Sequence, residues 1–194
     1  MEDIINEETI INFAIIFYVM KWIDKPGKDE YPPYAEMYMR LVPGEGLVLH
    51  HLETNGKAIE NLYLSLAPEK LLYSYAPGKW TLKEILVHLI DDESIYTYRA
   101  LRFARNEHKE LPGFNQDDFV RFSGANERDL LNILEEYSAV RKATISFFNG
   151  LPDVAFKRIG RTNESRTSVR ALAYHIAGHE LHHLTIIKEK YLNC

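Results

Sequence analysis

The spacing of apolar residues predicts four helices and very little strand. In the first stretch, about 47–66, Leu47, Leu49, Leu52, Ile59, Leu62 and Leu66 supply a helical stripe, and Pro68 closes it. The second is the best signalled. Thr81 can cap it, Glu84 stands three positions later as the reciprocal half of a capping box, and Trp80 precedes as a possible staple. Leu82, Ile85, Leu86, Leu89, Tyr96, Leu101 and Phe103 carry its apolar side to about Asn106, with the polar string Asp91, Asp92, Glu93 in the middle.

A third helix is expected near Asn126 to Phe148, with Asn126 and Asp129 as a capping pair and Asn149-Gly150 followed by Pro152 as its end. The last runs from about Ser168 to Leu192. Between them, Leu111 to Phe119 (LPGFNQDDF) reads as a loop, and 31–46, rich in Pro, Gly and Tyr, as an irregular lead-in. A short alternating pattern at Ala155 to Arg161 is the one strand candidate, and no internal repeat is visible. Four helices with one or two longer connections imply an all-α bundle.

The segment before this bundle stands apart. Ile10 to Met20 (IINFAIIFYVM) is apolar but too short for a bilayer that needs roughly 20 residues. Acidic Glu2, Asp3, Glu7 and Glu8 before it do not suit a secretory signal. The expected division is a helical N-terminal extension over 1–30, packed on the domain or on a second subunit, and a four-helix domain over 31–194; Met20 is an alternative natural start.

Length and composition fit one ordinary globular domain: 194 residues, 46% apolar and 26% charged. A net charge of −5 argues against a nucleic-acid platform, which needs clustered cations. The densest basic stretch, Arg158, Arg161, Arg166 and Arg170, is interrupted by Glu164 and reads as solvated surface. The single cysteine, Cys194, excludes an intrachain disulfide and fits a cytoplasmic location.

The candidate chemistry lies in five of the eight histidines: His88 in the second helix, and His175, His179, His182 and His183 in the last. His179 and His183 are four residues apart, about 40° around a helix, so both imidazoles can reach one point. That geometry suits a metal clamp and equally a hydrogen-bonded helix face. His88, between Val87 and Leu89, would be partly buried and need a partner. Facing the pair across a bundle, it completes three nitrogens and leaves a fourth position open, the usual form of a catalytic zinc site.

His179-Glu180-Leu181-His182-His183 also satisfies H-E-x-x-H, in which the glutamate is a metalloprotease base. The extended version fails, because Ile186 and Glu189 occupy the places of the further Gly and His. Glu180 then becomes an ordinary polar residue or supports a ligand from behind.

The segments YAPGKWTLKEILVHLIDDE (75–93) and RALAYHIAGHELHHLTIIKEKYL (170–192), with the PGF loop at 112–114, resemble the DinB/YfiT superfamily of bacterial metal-dependent enzymes. The resemblance spans the chain from about Tyr31 onward. It implies a four-helix bundle with a long crossover connection, frequent homodimers, and a divalent transition metal, zinc or nickel, held by His88, His179 and His183. His182 then falls to a supporting or surface position, and His175 lines the cavity without matching a family ligand.

Relatives of this kind include transferases and an isomerase that use low-molecular-weight thiols, and hydrolase-like members. The expectation is therefore a metal-dependent thiol-S-transferase or hydrolase acting on a small molecule, with no membrane or nucleic-acid partner. The alternative is a non-catalytic metal or small-molecule binding domain of a stress-response protein. Asp91 and Asp92, at i+3 and i+4 from His88, are candidates to orient an imidazole; they and Glu180 are the catalytic candidates.

Overall fold

The computed structural model describes residues 20–192. The expectations for the apolar run before Met20 and for Cys194 fall outside them. Four long helices form the bundle: α1 (Val48–Ser65), α2 (Leu82–Ala104), α3 (Leu130–Asn149) and α4 (Val169–Ile186), whose end widens into a π-helical turn at Ile187–Leu192. The capping box that starts α2 is formed as expected. Thr81 Oγ1 accepts from Glu84 N at 3.1 Å, and Glu84 Oε2 accepts from Thr81 N at 2.7 Å. Asp129 caps α3 through Leu131 N, and Ser168 caps α4 through Ala171 N.

Helices α1 and α2 each pack against both α3 and α4. Helices α1 and α2 therefore lie diagonally, as do α3 and α4, and the connections 66–81 and 150–168 cross the bundle, whereas α2 and α3 are neighbours. The connection 105–129 is not wholly the loop that its composition suggests. Asn115 Oδ1 accepts from Asp117 N and Asp118 N, and this cap starts a short helix at Gln116–Phe122. The strand expected at 155–161 is displaced: β1 (Ile159–Thr162) pairs antiparallel with β2 (Ser165–Ser168), while 153–156 is helical. Asn163 and Glu164, with φ of 45° and 63°, form the tight turn between them. That turn carries no glycine, so the usual hairpin signature is absent.

The apolar core is divided in two. One cluster holds Leu49, Leu52, Phe103, Phe148 and most of α4 up to Ala177; the other holds Ile59, Tyr63, Leu86, Ile133, Tyr137, Ile187 and Tyr191. Each long helix passes from one cluster to the other, α1 and α4 in one direction, α2 and α3 in the opposite one. Between the clusters lies a layer of buried polar side chains: Asp92 and Glu93 from α2, Arg141 from α3, and His179, Glu180 and His183 from α4.

Residues 20–47 are fastened to this bundle. Ile23 and Met39 enter the first cluster, and Tyr174 Oη donates to Ile23 O at 2.9 Å. The short helix Glu36–Met39 lies on α4 at Gly178, where a Cβ would stand 2.2 Å from the Tyr38 carbonyl oxygen. No larger residue fits there, and Tyr38 is thereby set over the polar layer.

Candidate metal centre

The three histidines singled out from sequence meet inside the bundle. His88 comes from the second turn of α2, and His179 and His183 from successive turns of α4. The Nε2 atoms of His88 and His183 each lie 3.1 Å from Nε2 of His179. A tetrahedral metal with Zn–N bonds of about 2.0–2.1 Å needs edges of roughly 3.3 Å; two of the three edges are close to this, and all three ligand atoms lie within 4.8 Å of one another. Burial holds His88 down to about 4 and His183 down to about 2, each helped by the neighbouring imidazoles. Both rings are therefore neutral at pH 7 and offer lone pairs. His183 Nδ1 is buried without a hydrogen-bond partner.

Asp92 supports this set from α2. Its Oδ2 lies 3.2 Å from His179 Nδ1 and 3.7 Å from His175 Nε2, contacts that orient electrostatically without a well-formed hydrogen bond. Burial alone would raise the Asp92 carboxyl, but His179, His175 and His88 together hold it well below the usual range. The carboxylate thus turns Nε2 of His179, the far nitrogen, toward the common point. The sequence offered Asp92 as a residue to orient an imidazole without saying which; the structure sets it beside His179 and His175 of the opposite helix. Asp91 lies elsewhere, with Glu136 and Arg128 as its strongest charged neighbours, and stands apart from the histidines.

Glu180 is neither an ordinary surface residue nor a base beside the cluster. It is 1% exposed and faces α3, where Tyr137 Oη donates to Oε1 and Arg141 Nη2 donates to the same oxygen at 2.7 Å. Arg141 also grips Glu93, with Nε and Nη2 donating to its carboxylate at 2.8–3.1 Å, and Nη1 donates to Leu52 O. The glutamate of the H-E-x-x-H string is thus committed to a structural ion network.

Aromatic side chains wall the histidines. Trp80, expected as a staple, lies 4.7 Å from the His88 ring and nearly parallel to His183 at 6.3 Å. Tyr38 meets His175, His179 and His182 edge-on, and Tyr96 stacks on His175 at 3.8 Å. His182 is half-buried, and burial with His179 lowers it. His175 is buried and held down to about 3 by burial.

A cavity of about 270 Å³ reaches His179, Asp92 and His175 past Tyr34, Tyr38 and Gln116. One of about 220 Å³ reaches His183 past Trp80, Tyr191 and Gln116. A larger one, about 400 Å³ between α1 and α3, touches Arg141 and none of the histidines. The sequence pattern marked Tyr96 only as part of the apolar side of α2 and did not mark Tyr38 or Arg141, because each gains its place at the site from tertiary packing.

Among the described residues no helix is long and apolar enough to cross a membrane. The family model for the DinB superfamily matches residues 51–187. Among solved structures, YfiT from Bacillus subtilis, described as "a probable metal-dependent hydrolase with an unusual four-helix bundle topology", is similar in fold. Its TM-score is 0.68 at 15% identity, over 88% of this chain and 93% of that one. No curated protein matches the sequence.

Proposed function

The chain belongs to the DinB superfamily, and from that premise we propose that it is a metal-dependent enzyme of hydrolase type, acting on a small molecule at His88, His179 and His183. The convergence of three buried Nε2 atoms from two helices carries this reading. Three imidazoles suit zinc or nickel, and they leave room for an exchangeable fourth position. Bound there, a divalent metal supplies Lewis acidity that brings the pKa of a coordinated water or thiol toward neutrality.

The chain's own residues do the rest. Asp92 fixes the His179 ring and places negative charge behind it, on the side away from the common point. Trp80 covers His88 and His183 from one side and keeps bulk water from their rings. Tyr38 and Tyr96 line the cavity that reaches His179, and Gln116 adds a polar group to its wall. A thiol-transfer reaction would use the same centre, and the YfiT resemblance favours hydrolysis.

The test is metal analysis of the wild-type protein and of His88→Ala, His179→Ala and His183→Ala, purified without a metal-binding tag. About one equivalent in wild type and loss in each variant is expected. Wild type that stays empty after zinc and nickel repletion overturns the reading. Hydrolysis of a panel of small esters and amides, set against thiol addition to electrophiles, then separates the two reaction types.

A further inference from the structure

Next to the histidine cavity lies a second one, of about 180 Å³, that shares Tyr34, Tyr96 and Phe114 with it. Its charged residue is Arg99, which is 6% exposed and is the one cation among the described residues that line it. Arg99 sits on α2, two turns beyond Asp92. Its guanidinium lies 4.9 Å from the Tyr96 ring and 5.7 Å from the Phe114 ring. Nη2 donates to Pro112 O at 3.2 Å. Among the described residues no carboxylate pairs with it.

A guanidinium carries five N–H donors, and one carbonyl satisfies one of them. Burying an unpaired charge of this kind is costly, and proteins do so where a partner arrives from outside. This contrasts with Arg141, equally buried, which two carboxylates neutralise. The opposite wall of the cavity is the hairpin, with Thr162, Ser165 and Thr167 offering hydroxyls. Asn163, whose Oδ1 accepts from Gly113 N at 2.9 Å, ties that hairpin to the 111–115 segment.

We propose that Arg99 binds the carboxylate of a small monoanionic substrate whose other end reaches the three histidines. This rests on the reading of those histidines as the reacting centre. The planar fork of arginine matches a carboxylate bidentately. The charge count favours one negative charge over a phosphate dianion, because a single cation lines the cavity and Asp92 lies in the adjoining one. Tyr96 joins the two compartments: one face stacks on His175, and its ring lies under Arg99. A bound molecule would therefore reach from the guanidinium along Tyr96 toward His179, through two adjoining cavities of about 180 and 270 Å³ that hold only a small molecule.

The experiment titrates the full chain with butyrate, butyramide and inorganic phosphate, with and without added zinc, and follows the Arg99 Nε–Hε signal by NMR. Saturable shifts with butyrate are expected with or without metal. Butyramide should give none, phosphate should bind more weakly, and Arg99→Lys should weaken butyrate by roughly tenfold or more. Equal binding of butyrate and butyramide, an unmoved Arg99 signal, preference for phosphate, or full affinity in Arg99→Lys would each overturn the proposal. The wild-type titration needs no variant to fold. Because the metal-free arm reads the anion site alone, its failure is distinguishable from a failure to load metal.

Discussion

Removing the Arg141 guanidinium tests the role assigned to Glu180. Arg141 donates to both Glu93 and Glu180 at 2.7–3.2 Å, and all three side chains are less than 10% exposed. Arg141→Met would leave two carboxylates buried with no cation between them. Breaking a buried pair by deleting one partner costs about 3–5 kcal/mol. In a domain of this size each kcal/mol moves Tm by about 2–4 °C, so the midpoint should fall by roughly 6–20 °C. The companion variant, Arg141→Met with Glu93→Met and Glu180→Met, replaces the network with apolar groups and should recover at least half of the loss. Thermal unfolding followed by circular dichroism reads both. A fall below about 2 °C, or a triple variant no better than the single one, would refute the view that Glu180 is held for structure.

Two further outcomes are expected. Asp92→Asn should lower metal affinity by about 10–100-fold while leaving the three histidines in place, measured by competition with a chromophoric chelator; unchanged affinity would remove Asp92 from the orienting role. Asp91 is pushed up to about 6 by burial and by Glu136, above its unfolded value near 3.9. The folded state thus binds more protons between those two values, and stability is lost as pH rises through 6. Asp91→Asn should therefore stabilise the protein at pH 7.5 by about 1 kcal/mol, discounted because the group is partly exposed, and the gain should shrink toward pH 4 in urea titrations.

Much of this molecule could be read from local signals. The apolar stripes placed all four bundle helices, and Thr81 with Glu84 marked the start of α2 to the residue. The histidine trio was legible because His179 and His183 share a helix face and His88 lies in a run too apolar to leave it exposed. What escaped were relations between helices. Asp92 is four residues from His88, yet α2 turns its carboxylate toward α4. Glu180 carried a motif role by spacing, but its direction, about 100° from His179, meets α3 and Arg141. The Gln116–Phe122 helix hid behind Pro112 and Gly113, since its start depends on one Asn115 cap.

The division of the core by a polar layer bears on how the sequence can change over time. The buried ionisable side chains of the polar layer and the histidines beside them cross the middle of the bundle, and the apolar clusters on either side must offset their desolvation. A truncation at Phe148 or Leu86, one in each cluster, draws on the same margin that keeps the histidines buried. Mutational tolerance should therefore be lower than 194 residues would suggest, with the reactive layer and both ends of the bundle drifting together rather than independently.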